Sequence, residues 1–357
     1  MTRSTSTRAA NQHRLERRRL LRAGAAAFAA ALLPPPPARS QDGASPEAPT
    51  ARSRDSVAQT ATPARAASES DTSAPESAAT ARVDAPITAT DLGGLVRLQV
   101  AGCNVLAMHG ADGALMIDGG PAATAEALVR AVLAATHDQR VAMLIDTHWH
   151  LDQIGANEIV GRAGGTIFAT EKTKLFLSHS VYADSFDRAR EPLPEVARPN
   201  KTTRGDGSFE FGGQKVDYGY LPAAHTDGDL FVHFPQLNVL AAGGVVSGEK
   251  WPLLDWRNGA WYGGRVRALE RLAGIVNADT RVVPAQGRTI TGRDVLHQRD
   301  IYDELLETMI GYMNMGLGAE DVVVRNPLKK YESELGDATE FLDGAYHSMQ
   351  IAYLPKN

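Results

Sequence analysis

The 357-residue chain carries a formal net charge of −5 and no basic stretch interleaved with aromatics, so nothing in it suggests a nucleic-acid partner and none is expected. Its single cysteine, Cys103, excludes an intramolecular disulfide framework and a cysteine-based zinc ribbon. Ten histidines remain as candidate metal donors.

Residues 1–40 read as an export signal. A basic region is followed by an apolar run from Ala23 to Leu33, four prolines and a small-residue end at Ala38–Ser40. The run is shorter than the about 20 residues that a spanning helix needs, so no membrane span is expected in the mature form. Arg17-Arg18-Arg19-Leu20-Leu21-Arg22 resembles a bacterial twin-arginine signal, which implies a periplasmic or secreted protein. Residues 41–85, rich in Ala, Ser, Thr, Pro and Glu, bury too little apolar surface to offset ordering and are expected to be a disordered linker.

Short strands open the folded part. "LVRLQV", "NVLAMHG" and "GALMIDGG" are apolar runs separated by turn residues. Residues 122–135 predict a helix with Leu128, Val129, Val132 and Leu133 on one face. "VAMLID" predicts a buried strand that ends at "THWHLDQIGAN". A second set follows: "GSFEFGG", "QKVDYGYL", "DLFVHF" and "NVLAAGG" as strands, a helix near 263–276, and the strand "RVVPAQG". Strands then helix, twice over, predict two packed sheets with helices outside. Beyond residue 292 the chain is expected to be helical. Ile301, Leu305, Leu306, Met309, Ile310 and Met313 recur at helical spacing as core or interface, and any homo-oligomer is expected to form through these helices.

Three histidines carry the chemistry: His148 and His150 on alternate positions, and His225 in "PAAHTDGDL". Three neutral imidazoles with an open fourth position make a catalytic zinc arrangement, and the metal would lower the pKa of bound water to about 7. Asp227 and Asp229 are candidates to accept from the outer N–H of a ligating histidine. Residues 171–199, with Phe176, Tyr182 and Phe186, read either as a lid over the site or as an ordinary packed helix and loop. Trp251, Trp256 and Trp261 read as a pocket wall or as packing. Cys103 reads as an inert small residue.

The order "ALMIDGG", "THWHLDQIGAN", "AAHTDGDLFVHFP", "VVPAQG" resembles the metallo-β-lactamase superfamily over about residues 92–292. The resemblance implies an α+β fold, a four-layer αββα sandwich spanning residues 86–292, followed by a C-terminal helical extension over 293–357. By that resemblance His148, His150 and His225 match the first metal's ligands, and Asp152 matches the second metal's carboxylate. Asp118 resembles a structural aspartate that supports the metal loops. Departures from the pattern fall on one side: Gln153 and Gln286 stand where the second metal's histidines would be, and Gly244 where a bridging aspartate would be. A glutamine amide is a weak donor, so one zinc ion rather than two is expected.

The expected function is an exported, zinc-dependent hydrolase of a small-molecule ester, amide or lactam, or thioester, with Asp152 orienting or deprotonating the attacking water. Two other readings of the same residues stay open. One is a non-catalytic binding module with a degenerate site, and the other is an iron-containing redox or sulfur-handling protein.

Overall fold

The computed structural model describes residues 85–182 and 189–353. The expected export signal, the linker and Phe186 lie outside those residues. Strands β1 (Thr88–Asp91), β2 (Val96–Val100), β3 (Cys103–Met108) and β4 (Ala114–Ile117) form an antiparallel run. Helix α1 (Ala125–Thr136) buries Leu128, Val129 and Val132, as its spacing predicts, and β5 (Val141–Ile145) returns parallel to β4. After α2 (Asn157–Arg162), strand β6 (Thr166–Thr170) adds parallel to β5, and the Thr170 hydroxyl caps α3 (Glu171–Ser178) by accepting from the Thr173 amide. Two-residue strands β7 (Val181–Tyr182) and β8 (Ala189–Arg190) pair with each other, and β9 (Lys201–Thr203) completes the first sheet beside β6.

The second sheet starts with a meander: β10 (Gly207–Phe211), β11 (Gln214–Leu221), β12 (Asp229–Phe234) and β13 (Val239–Gly243). Helix α4 (Tyr262–Ala273) then carries the chain across to β14 (Arg281–Pro284), parallel to β13, and β15 (Ile290–Thr291) pairs with β14. A reciprocal Thr291–Asp294 capping box starts α5 (Gly292–Asn314), followed by α6 (Ala319–Arg325), α7 (Glu332–Leu335) and α8 (Thr339–Tyr353).

Side-chain alternation divides the strands among three cores. Leu106, Met108, Leu115 and Ile117 face the second sheet's Val232, Phe234, Val239 and Val283, filling the space between the sheets. Val105, Ala107, Ala114 and Met116 face outward onto α1 and α2, joining Leu128, Val132 and Val160. The other outer face, with Leu240 and Val282, packs under α4 and the C-terminal helices through Leu269, Ile301, Leu305 and Phe341. The result is the expected four-layer α+β sandwich with a helical C-terminal region. Because β3 and β4 are buried on both faces, they read in the sequence as continuous apolar runs.

In α5 the expected stripe is buried at Ile301, Leu305 and Met309, while Ile310 is exposed. Trp251, Trp256 and Trp261 resolve as packing and cation contacts: Trp251 stacks on Phe341 at 5.1 Å, Trp256 stacks on His347 at 5.2 Å, and Arg267 lies over Trp261 at 4.6 Å. Among the described residues no helix is long and apolar enough to cross a membrane.

Several strand ends meet at one rim. The exits of β4, β5, β13 and β14 and the β11–β12 turn are tied there by Leu230 N–H to Thr147 O at 2.7 Å and Asn104 N–H to Ala285 O at 2.8 Å. Gly155 lies against the β4 exit, its N–H donating to Gly120 O at 2.7 Å. A β-carbon there would lie 2.3 Å from the backbone nitrogen of Ala122 and 2.4 Å from the carbonyl carbon of Pro121. Backbone cannot turn aside as a flexible side chain can. Gly155→Ala is therefore expected to destabilise the fold by about 1–3 kcal/mol in denaturant unfolding. An unchanged midpoint would show that this loop yields freely.

Candidate metal centre

Beyond β5 the chain passes through Asp146 and Thr147 to His148. Thr147 is fixed by Asp118, whose carboxylate accepts from the Thr147 N–H and hydroxyl, both at 2.8 Å. Asp118 holds this position with a φ of 63°, an uncommon conformation for a residue with a side chain. Burial pushes its pKa up to about 7 against the lowering effect of both Thr147 bonds. The Thr147 oxygen lies 3.0 Å from His148 Nδ1, which leaves Nε2 of that ring for the centre.

The other two rings are fixed in the same way. His150 Nε2 lies 3.2 Å from Asp255 Oδ2, leaving Nδ1. His225 Nδ1 lies 2.7 Å from the Leu253 carbonyl oxygen, leaving Nε2. These acceptors assign the tautomers. His225 Nε2 and His150 Nδ1 then face each other at 3.0 Å, and in the neutral tautomers that these acceptors favour both would present lone pairs. The three rings stand edge to face with centroids 4.7–4.9 Å apart, all buried.

This inner pair of nitrogens is placed to share a cation. Two nitrogens on a tetrahedral zinc at 2.0–2.1 Å would sit about 3.3 Å apart, close to what is found. One donor from each of the three histidines lies within 4.8 Å of the others, and among the described residues this is the His/Cys/Asp/Glu group placed to hold a metal ion. The donor set fits a divalent metal. Burial, then the neighbouring His150, lowers the His148 pKa to about 3, and burial with both neighbours lowers His225 well below its usual value. Neutral imidazole is the ligating form. For His150 burial also works downward, but the bond to Asp255 and its charge outweigh it and the pKa is raised.

Asp152, close enough to His148 and His150 to feel their charge, has its own set of donors. Its Oδ2 accepts from Gln153 Nε2 at 2.9 Å and Gln286 Nε2 at 2.6 Å, with the Cys103 sulfur 3.6 Å away. Burial works to raise its pKa, but His148, His150 and the two amides lower it overall. Gly244 leaves no room for a side chain, since a β-carbon there would lie 2.3 Å from His225 Nε2.

The expected supporting aspartates divide. Asp118 acts on His148 through Thr147. Asp229 accepts from the His225 N–H at 2.6 Å and the Thr226 N–H at 2.9 Å, so it braces the backbone of His225 rather than its ring. Asp227 instead pairs with Lys172 at 2.7 Å and makes no bond to a ligand ring. Within the expected lid, Phe176 stacks on Trp149 at 5.0 Å, and Leu177 and Leu193 pack beside it. This part is a buttress under the His-Trp-His segment.

Four residues of the site escape the sequence reading: Thr147, Asp255, Arg265 and the close approach of Cys103. Arg265, fully buried on α4, donates to the carbonyls of Pro252 at 3.3 Å and Leu253 at 2.5 Å, behind His225. Asp255 is separated from His150 by more than a hundred residues, with no local pattern around it. The aspartate in "WPLLDW" was the one available signal, and nothing in it points to histidine.

A family model described as the metallo-beta-lactamase superfamily matches residues 98–297. Among solved structures, the chain is similar to the inverting sec-alkylsulfatase Pisa1 from Pseudomonas sp., at 17% identity and a TM-score of 0.56, covering 76% of this chain and 52% of that one. The chain thus spans about half the length of that alkylsulfatase. It is also similar to the DIM-1 metallo-beta-lactamase, at 16% identity and a TM-score of 0.50, covering 62% of this chain and 100% of that one. A metallo-beta-lactamase from Pontibacter korlensis matches at 22% identity and a TM-score of 0.47, covering 61% of this chain and 93% of that one.

The Asp255 contact is open to test. Asp255→Ala frees the His150 ring to rotate and to choose the other tautomer. Zinc affinity, measured by competition with a chelator, is expected to fall roughly 10–100-fold. Unchanged affinity would mean that packing alone orients His150.

Proposed function

The chain belongs to the metallo-beta-lactamase superfamily, and we propose that it is an exported hydrolase that works with one zinc ion. The observation supporting this is the convergence of three buried imidazoles whose outer nitrogens are already committed to oxygen acceptors. When bound, the ion would polarise the scissile group and make water acidic near neutral pH.

The chain's own residues do the rest. His148, His150 and His225 hold the ion, oriented by Thr147, Asp255 and Leu253 O. Asp152 has Oδ2 occupied by two amides, which leaves Oδ1 to take the proton of the attacking water as that water adds to the substrate carbonyl. The leaving group departs with a proton returned from the same oxygen. Carboxylic esters, amides including lactams, and thioesters suit this chemistry, and sulfate esters belong in the same screen because an alkylsulfatase shares the fold. A phosphodiester fits less well, since a second cation would clamp the opposite oxygen.

Metal analysis of the purified full chain is expected to give close to one zinc, lost in His225→Ala because two imidazoles and water hold zinc poorly. Asp152→Asn is expected to keep the zinc and lower turnover about 10²–10⁴-fold, since an amide cannot accept the proton. Metal-free native protein would overturn the proposal in favour of a binding module, and undiminished turnover of Asp152→Asn would remove the base.

Export rests on residues 1–40. Replacing Arg17, Arg18 and Arg19 with lysine is expected to strand the precursor in the cytoplasm, read by cell fractionation. Undiminished periplasmic protein would remove the twin-arginine route.

A further inference from the structure

Asp152 is a half-buried carboxylate whose three donors are all neutral: an adjacent amide, an amide from the turn after β14, and a thiol from the start of β3. All three converge on one oxygen, Oδ2. Residues so distant in the sequence meet there because the first and second sheets are joined at this edge. Cys103 and Gln286 form an isolated antiparallel bridge, and the Gly287 N–H donates to Gly102 O at 3.0 Å.

The Gln153 amide shows what the arrangement costs. Its Nε2 also points toward the Ala285 carbonyl at 3.5 Å, while its Oε1 is buried without a partner. An orphaned buried acceptor is unfavourable, and native folds retain few of them. Turned the other way, the amide would set its oxygen against the carboxylate oxygen. The orphan is tolerated because it keeps an N–H on Asp152. Gly244 removes another route to a second ion, since the His225 ring fills the space that a bridging side chain at that position would need.

We propose that Gln153 and Gln286 are positioning residues that stand in for a second cation: their amides hold Asp152 by Oδ2, present Oδ1 to the histidine cluster, and keep a second ion out. This builds on the one-zinc reading but can fail separately from it.

Two measurements on the full chain test it. The first needs no metal. In chelator-treated protein, Gln286→Ala is expected to lower the unfolding midpoint by roughly 2–4 °C, and by less than half as much in the Asp152→Ala background. An equal shift in both backgrounds would show that the amide does not act on Asp152, and would overturn the proposal. The second is zinc titration. The unaltered chain is expected to saturate at one ion. Gln153→His with Gln286→His is expected to take a second ion at elevated zinc, and to lose it again when Asp152→Ala is added. Either a second Asp152-dependent ion in the unaltered chain, or saturation at one in the well-folded double variant, would overturn the exclusion. A chain that took no zinc at all would sink the hydrolase reading, while the midpoint comparison would still decide the amide clamp.

Discussion

The approach of His150 Nδ1 and His225 Nε2 to 3.0 Å is the constraint around which the rim of this fold is arranged. Asp255 and the Leu253 carbonyl occupy the outer nitrogens, which turns the inner ones toward each other. A bound cation would turn that close approach into ligation, and the rings would need no reorientation to receive it. Supporting groups then follow in layers. Asp229 fixes the backbone of His225, Asp118 fixes Thr147 beside His148, and Trp149, edge to face with the His150 ring at 4.7 Å, stacks on Phe176.

The histidine cluster and the surroundings of Asp152 are built on different chemistry. In the first, burial lowers the basicity of His148 and His225, while Asp255 raises that of His150. Amides, a thiol and a carboxylate line the second, where the donors satisfy an anion without carrying charge. A carboxylate buried among neutral donors keeps its charge only while several N–H groups point at it, since desolvation alone favours the protonated acid. The glutamines are thus more than weak ligands in place of strong ones. They reverse the polarity of that half of the site, from acceptors that would invite an ion to donors that take its place.

How much of this was legible follows from where each signal is written. Strands β11 and β12 match their predicted spans because alternation and turn residues are local properties. The His-x-His pair is also local, and so is the departure at Gln153. Asp255 and Arg265 are not. Each matters through a partner that the topology alone brings near, and a lone aspartate or arginine in a loop carries no periodicity. Cys103 read as an inert small residue near a turn, yet the β3–Gln286 bridge sets its sulfur against Asp152. Asp227 misled for the opposite reason: two residues past His225 is the right sequence distance, but its side chain turns away to Lys172. The three tryptophans were ambiguous because an aromatic in a loop reads the same whether a helix or a substrate covers it.

That last ambiguity bears on how the metal centre is held. The loop from Lys250 to Trp261 contributes Asp255 and the Leu253 carbonyl, the acceptors for two of the three rings. It has little regular structure of its own, a single 3-10 turn at Trp256–Asn258. What fixes it is cover. From the C-terminal region, Phe341 stacks on Trp251, His347 stacks on Trp256, and the Gly336 carbonyl accepts from Trp251 Nε1 at 3.0 Å. From the other side, Arg265 gathers the Pro252 and Leu253 carbonyls, and the Tyr262 N–H donates to Ser348 at 3.1 Å. An acceptor orients a ligand only as well as it is itself held. The helices beyond residue 292 therefore support the histidine cluster mechanically, although among the described residues none of them places a side chain among the three rings.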